Sequence, residues 1–463
     1  MTTDQKSGPG LVHRRPVLLV AFAFAVMADP VSSVAYAIEA ALRALDGDLA
    51  LLIPTMGLVV AIIALVIVNY QQIIARYPRG GGAAAATGEA FGEAWAFIPI
   101  GALIVDFVLT IAISVSAGAS AVIAYFPALA PWRLPLALAL VVAVGAVTWF
   151  GHLGRLFFAA LTLAFIAVAG TALVCGAGAT PHPTGTITDA AGHQPHLAIA
   201  LAFPVAMALA TGVEAPSSAI AQLGQLDDAG RRRFGRVTLW LTLGIVGTIT
   251  IGLAVEAHRL RIGIPAPDTT QIAELARVAA PHAVFATFQL VTALLLLSAA
   301  SSSFQAGPGL LKALARRHLI SDAGGILPPT LGRTNRHHTP YWGVLVFTVL
   351  SAAVVAAAGG QDQELVLFYA VSVFLSFLAG LVAMSRFARA EARLGSMLLN
   401  LFGAVVVAFT LVVNLARGLP IVSIAAALLV AAVLHRAWVG AGRPRGIGNV
   451  AAEAEGGADH VAP

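Results

Sequence analysis

The sequence predicts an all-α, polytopic membrane protein of about twelve transmembrane helices, and three observations carry that prediction. Charged residues make up only 11% of the chain against 59% hydrophobic, whereas a soluble protein needs about a quarter charged to cover its surface. Apolar runs of roughly twenty residues, each long enough to cross a bilayer core as a helix, recur along the whole chain. The mixed, charged segments between them never exceed about 35 residues, which leaves no room for a sizeable soluble domain.

The apolar runs fall at roughly 16–44, 50–76, 91–126, 132–150, 154–178, 197–222, 236–257, 281–306, 341–358, 363–386, 396–416 and 418–437. The first continues far past signal-peptide length without a cleavage site and reads as a retained span. Threading with the N-terminus in the cytoplasm puts Arg14, Arg15, Arg76, Arg79, Arg155, Arg231–Arg233, the Lys312–Arg336 loop and Arg386–Arg393 on that side. The opposite side receives the 179–196 loop, free of Lys and Arg, and the acidic Gly359–Glu364 turn. Arg259, Arg261 and Arg277 are the exceptions outside. This arrangement obeys the positive-inside rule and predicts a multi-pass plasma-membrane protein with both termini cytoplasmic. The expected domains are a cytoplasmic tail over 1–15, a membrane domain over 16–437 and a short disordered tail over 438–463, rich in Gly and Ala. A net charge of +5 does not signal nucleic acid, because the basic residues sit in the short loops. The single Cys175 excludes a disulfide framework.

Two spans are interrupted. The first carries Ala28-Asp29-Pro30-Val31-Ser32-Ser33, and the sixth carries Thr211-Gly212-Val213-Glu214-Ala215-Pro216-Ser217-Ser218. Proline removes a backbone donor and clashes with the preceding turn, so each helix should kink or unwind there. The breaks are five spans apart, at corresponding positions of two five-helix repeats, which is the best sequence pointer to a transporter's binding site. Carbonyls freed near the midplane are tolerated only beside a cavity or ligand.

Asp29, Asp106 and Glu214 lie well inside apolar spans, where a carboxylate costs about 2.5–3.5 kcal/mol on insertion scales. Asp106, Thr110 and Ser114 follow an i, i+4, i+8 spacing and share one helix face. Tyr36 lies two turns beyond Asp29. This set is rich in oxygen and poor in nitrogen, as hard cations and potassium filters require. Anionic cargo fits badly, since no Lys or Arg stands near the middle of a span. Glu214 suits either proton exchange, because desolvation and a nearby cation move a carboxyl pKa in opposite directions, or direct ligation.

These same segments carry a family resemblance. Ser32-Ser33-Val34-Ala35-Tyr36 after Asp29, Tyr77-Pro78-Arg79-Gly80-Gly81-Gly82, Val105-Asp106-Phe107-Val108-Leu109-Thr110 and Thr211-Gly212-Val213-Glu214-Ala215 together resemble one branch of the amino acid–polyamine–organocation superfamily. It is the potassium–proton importer branch, near the Kup-type potassium uptake permeases, and the likeness runs over roughly 20–415. It implies a LeuT-like 5+5 inverted repeat with helices 1 and 6 broken. It also implies that Asp29, Tyr36, Asp106, Thr110, Ser114 and Thr211 bind the ion, that Glu214 couples protons, and that Tyr369 gates. Three departures are visible: Phe107 where the importers tend to have tyrosine, a partial match over Ser303–Pro308, and no large C-terminal domain for a regulatory cyclic dinucleotide.

The leading expectation is therefore proton-coupled uptake of potassium or a similar small cation. The alternatives are a proton-coupled amino acid or organic amine permease and a non-transporting membrane sensor. Amino acid permeases commonly present a Gly-Ser-Gly-like first break that grips a carboxylate, and Asp29 would repel one. No enzyme activity and no cofactor are expected; the partners are cargo, protons and lipid, with homodimerisation left open. The Gly80–Gly82 run lacks the Gly-Lys-Ser/Thr of a phosphate cradle and reads as a bent connection. His182, His193 and His196 lack metal-ligand spacing, and His337-His338 reads as solvated. Ser301–Ser303 could line a sodium site or bond a neighbouring helix.

Overall fold

A computed structural model describes residues 15–151, 154–188, 194–316, 325–418 and 420–456. It is helical throughout, apart from two isolated bridges that pair Thr184 with Ile262 and Thr186 with Ile264. The first span runs as α1 (Arg15–Val26), α2 (Ala28–Ser32) and α3 (Val34–Ala44). It is followed by α4 (Leu49–Arg76), α5 (Gly82–Phe91), α6 (Phe97–Tyr125), α7 (Arg133–Trp149) and α8 (Arg155–Gly178). The sixth span runs as α9 (Pro195–Ala206) and α10 (Ala215–Ala219). After it come α11 (Asp228–Leu260), α12 (Gln271–Ala279), α13 (His282–Arg316), α14 (Tyr341–Ala357) and α15 (Asp362–Ala390). The chain closes with α16 (Leu394–Ala416), α17 (Ile421–Gly440) and a short α18 (Val450–Gly456). Among the described residues, ten helical segments are long and apolar enough to cross a membrane. The shorter apolar helices Pro16–Val26 and Tyr341–Ala357 bring the spans to the expected twelve.

The element order repeats itself: broken span, long helix, short helix, then three further spans. An odd number of crossings separates the two copies, so the second must be inverted relative to the first. Packing follows the same symmetry. The short α5 of the first copy lies against α15, the fifth span of the second, while the short α12 lies against α8, the fifth span of the first. Neither short helix was legible as an element in the apolar runs.

The two breaks differ. In the first, Met27 and Ser33 keep right-handed helical angles, and Val31 and Ser33 still donate to the carbonyls of Met27 and Asp29 at 3.0 and 3.2 Å. The first span is thus kinked rather than unwound, and the expected free carbonyls are absent at Asp29, whose oxygen also accepts from Ser32 Oγ at 2.7 Å. Pro30 loses one donor, and the serine hydroxyls hold the turn. In the sixth span the helix does unwind, because Thr211 is extended (ψ 142°) and Gly212 adopts φ +79°.

Among the arginines that the threading leaves as exceptions, Arg259 pairs with Glu256 at 2.9 Å and Arg277 with Glu274 at 2.9 Å. Gly80, Gly81 and Gly82 all have positive φ and form the tight bend expected of them.

The tail departs from expectation. Instead of disorder over 438–463, α17 continues to Gly440, and residues 447–456 form a 3-10 turn and α18. Ile447 and Val450 are completely buried. Glu93 accepts from the backbone N–H groups of Gly446 and Ile447 at 2.5 and 2.7 Å. The small residues that suggested disorder permit this docking, since a Cβ on Gly448 would lie 2.9 Å from Ala85 Cα and one on Gly80 would lie 2.9 Å from Ala452 Cβ. Residues 457–463 lie outside the described residues. Replacing Glu93 with Ala removes two hydrogen bonds to a charged acceptor, worth about 1.5–3 kcal/mol each. The variant is expected to melt several degrees lower in detergent and to lose its tail to limited proteolysis first, whereas an unchanged cleavage pattern would show that the tail is held by other contacts.

Candidate functional site

The kinked turn of the first span, the unwound turn of the sixth and the middle of α6 converge in the core. Asp29 meets the sixth-span break directly: a Cβ built on Gly212 would stand 2.7 Å from Asp29 Oδ2 and 2.7 Å from Pro30 Cδ. Glycine is needed at 212 for its positive φ and for this approach. A hydroxyl bridge links the two breaks, with Ser33 Oγ 2.9 Å from Thr211 Oγ1 and 2.8 Å from the Tyr36 hydroxyl. Thr211 Oγ1 is anchored on the Ala208 carbonyl at 2.8 Å. Ser33, Tyr36 and Thr211 are all buried.

Asp106 on α6 lies within Coulombic reach of both Glu214 and Asp29, and the Ser372 hydroxyl of α15 bonds its carboxyl. Thr110 and Ser114, one and two turns along the same face, are buried. Three like charges held this close cannot all ionise without a compensating cation or proton. The described surroundings leave oxygen lone pairs unused. Asp29 Oδ1, Asp106 Oδ1, Glu214 Oε2 and Ser114 Oγ are enclosed without a hydrogen-bond partner. Such orphaned acceptors are costly in a folded protein and fit a desolvated cation or a proton as the missing partner. Among the described residues, no three His, Cys, Asp or Glu side chains come close enough to grip a metal ion.

Accessibility is one-sided. Asp29, Glu214, Ala215, Ser218 and Gln222 keep part of their surface accessible, whereas Ser32, Ser33, Tyr36 and Thr211 keep essentially none. The part-accessible residues therefore lie toward the end of the bundle that carries α18. The site is closed toward the other end, where Glu39 pairs with Arg43 at 2.8 Å and accepts from the Gln271 N–H at 2.9 Å. There Ser120 Oγ also donates to Asp362 at 2.7 Å, and Arg133 donates to Ser120 at 2.5 Å.

Seven of the eight residues singled out from the sequence come together here or line the same α6 face. For the eighth, Tyr369, the side chain lies outside the described residues, although its position falls within α15. Sequence reasoning missed Tyr70. Its buried hydroxyl lies beside Ser376 and sits within Coulombic reach of Glu214 and Asp106. The signal was the polar Asn69-Tyr70-Gln71-Gln72 run inside an otherwise apolar span. Ser372 was missed as well, and Ser33 was seen as a motif member but not as the link between breaks. Ser301 Oγ is buried without a partner on α13, which packs against α2. His193 lies outside the described residues.

Paired helix breaks, an inverted repeat and an enclosed oxygen-lined site define a membrane permease architecture. The family model described as "Amino acid permease" matches residues 18–434, and the chain belongs to that family. Among curated proteins it is 32% identical over 397 residues to the potassium transporter KimA of Bacillus subtilis (strain 168), which covers 82% of this chain. The match spans 63% of the length of KimA. Among solved structures, two mutant forms of the Eremococcus coleocola manganese transporter align over 94% of this chain and 97% of theirs, with a TM-score of 0.47 and 13% identity.

Replacing Gly212 with Ala forces a left-handed backbone on an L-residue, at about 1–2 kcal/mol, and drives a methyl group into Asp29 and Pro30. The expected outcome is a lower melting temperature together with a loss of cargo binding larger than that of Val213→Ala, read by ligand-induced thermal shift. Wild-type binding in Gly212→Ala would separate the two breaks functionally.

Proposed function

We propose that the chain is a secondary transporter that takes up potassium, or a similar small monovalent cation, together with protons. The observation that carries the reading is the set of orphaned carboxylate and hydroxyl oxygens between the two helix breaks, with no Lys or Arg among them. In this reading Asp29, Tyr36, Asp106, Thr110, Ser114 and Thr211 form the cation path, Glu214 exchanges the proton, and Tyr369 gates. Residues 16–437 form the transporting body. The relative named as a potassium transporter supports the choice of cargo. A membrane potential supplies about 2.3 kcal/mol per charge per 100 mV, and an inward proton gradient adds to it. Loop charge supports a plasma-membrane orientation with both termini cytoplasmic.

A second reading, proton-coupled uptake of an organic amine or amino acid, draws on the description of the matching family model. An ammonium group suits the same carboxylates, whereas a substrate carboxylate would face Asp29.

The test is rubidium uptake into proteoliposomes under an imposed pH gradient. Asp29→Asn and Asp106→Asn each remove a charged ligand worth about 1.5–3 kcal/mol and are expected to lower apparent affinity roughly tenfold to a hundredfold. Glu214→Gln is expected to abolish the response to the pH gradient more completely than cation binding. A folded wild type that accumulates no rubidium but takes up amines would replace the first reading with the second.

A further inference from the structure

A groove of about 640 Å³ opens between the ends of α4, α11, α15 and α16, away from the carboxylate site. Its lining includes Arg76, Arg236 and Arg393 against a single carboxylate, Glu391, with Gln71 and Ser396 between them. Part of this charge is already used. Arg76 bonds Glu89 at 2.6 Å and Glu391 at 2.8 Å, and its guanidinium lies 3.8 Å from the centre of the Phe387 ring. Arg393 shares Glu391 at 2.5 Å. The Arg76 hydrogen bond holds Glu391 below the ordinary glutamate pKa, so Glu89 and Glu391 offset Arg76 and Arg393, and the positive charge left over is that of Arg236. Arg236, exposed on the opposite wall, forms no ion pair among the described residues. Gln71 spends its oxygen on the Trp240 indole N–H at 3.0 Å, which leaves its amide N–H groups as donors. The groove is therefore a donor-rich, net-positive concavity built for an anion.

Its surroundings specify which kind. Ser396 begins a helix whose next turns present Leu398, Leu401, Phe402 and Val405 outward, each at least half exposed. Their spacing of three and four residues puts them on one face, the face expected to meet lipid. Beyond Arg236 on the other wall, Trp240 is 43% exposed, an amphipathic ring of the kind enriched at membrane interfaces. The polar groove thus sits at the foot of an apolar surface, at the membrane side where loop arginines concentrate. Basic pockets between helices on that side suit anionic headgroups.

We propose that this groove binds the phosphate headgroup of an anionic phospholipid, with its acyl chains lying along the outer faces of α16 and α11. A phosphate held by Arg236 and Arg393 would tie α11, the second span of one repeat, to the connection between α15 and α16.

The test uses the full chain and phosphatidylglycerol, phosphatidylcholine and inorganic phosphate as probes, read by native mass spectrometry and thermal melting. Phosphatidylglycerol is expected to stay bound through delipidation and to raise the melting temperature. Phosphatidylcholine and inorganic phosphate are expected to do neither. Arg236→Gln with Arg393→Gln should weaken phosphatidylglycerol retention by roughly tenfold or more, and Arg236→Gln alone, which breaks no ion pair, should weaken it in part. Arg389→Gln, exposed on the same side outside the groove, should leave retention unchanged. Equal retention in Arg236→Gln and wild type overturns the site. Stabilisation by inorganic phosphate equal to that by the lipid overturns the lipid assignment in favour of a soluble anion.

Discussion

Three carboxyl groups in the apolar centre of a helical bundle impose the constraint from which the rest of this structure follows. Each is expensive to insert, and Asp106 lies within Coulombic reach of the other two. Such an arrangement persists only where a positively charged partner or protons can share the space. The surrounding architecture accommodates them. Gly212 lets the sixth-span break approach Asp29 and Pro30, and the Ser33–Thr211 contact fixes one break against the other. The rest of the bundle then acts as a rigid frame of small residues, and Gly101, for instance, lets α6 and α17 approach so closely that a Cβ there would meet backbone at 2.5 Å.

Much of this was legible because membrane physics is severe. Apolar runs must be helices, so the twelve spans could be read from length alone. Buried acids stand out against the apolar background, so Asp29, Asp106 and Glu214 were found without any spatial information, and the spacing of Thr110 and Ser114 placed them on the face of Asp106. The sequence was silent where the determinant is non-local. Nothing in the second span says that the Tyr70 hydroxyl points at the acids of two other helices, and Ser372 resembles any hydroxyl in a membrane helix. The short α5, rich in Gly and Ala, and the nine-residue amphipathic α12 escaped because a short stretch beside a span resembles a loop until packing against the opposite repeat is known. The tail was misread for a related reason. Gly and Ala signal disorder when no partner is in view, yet at Gly80, Gly81 and Gly448 they are what allows two backbones to touch.

The unequal breaks refine the idea of a two-fold site. The first span remains a helix with its carbonyls engaged, so its contribution is the Asp29 side chain and the hydroxyls of Ser33 and Tyr36. The sixth span is unwound at Thr211 and Gly212, and there the buried backbone itself turns against Asp29. A pseudo-symmetric scaffold has thus been divided into a helical half that presents side chains and an irregular half with backbone free to rearrange. In that turn Thr211 and Val213 keep only long i→i−3 bonds, to Ala208 at 3.4 Å and Ala210 at 3.3 Å, which resist movement less than the helical bonds of the first span.

The two ends of the site are closed by different chemistry, and this bears on how access could alternate. At the end away from α18, Glu39 pairs with Arg43 and accepts from the Gln271 N–H at the start of α12, while Ser120 joins Arg133 to Asp362, so charge-assisted bonds tie the first span to α12 and the third span to the fourth and tenth. Opening there must break bonds to buried charged groups, which is costly while they are buried and cheaper as water enters. At the α18 end Asp29 and Glu214 are part-accessible, and the barrier is covalently part of the chain, since α18 lies across α10 and α13. Opening there must move the sixth-span turn or the tail, which Glu93 holds through the Gly446 and Ile447 N–H groups. A bundle closed by charge-assisted bonds at one end and largely by apolar packing at the other meets opening costs of different kinds. Ionic conditions would shift the first barrier and temperature the second, because screening weakens charge pairs as water reaches them while apolar contacts strengthen on warming from the cold.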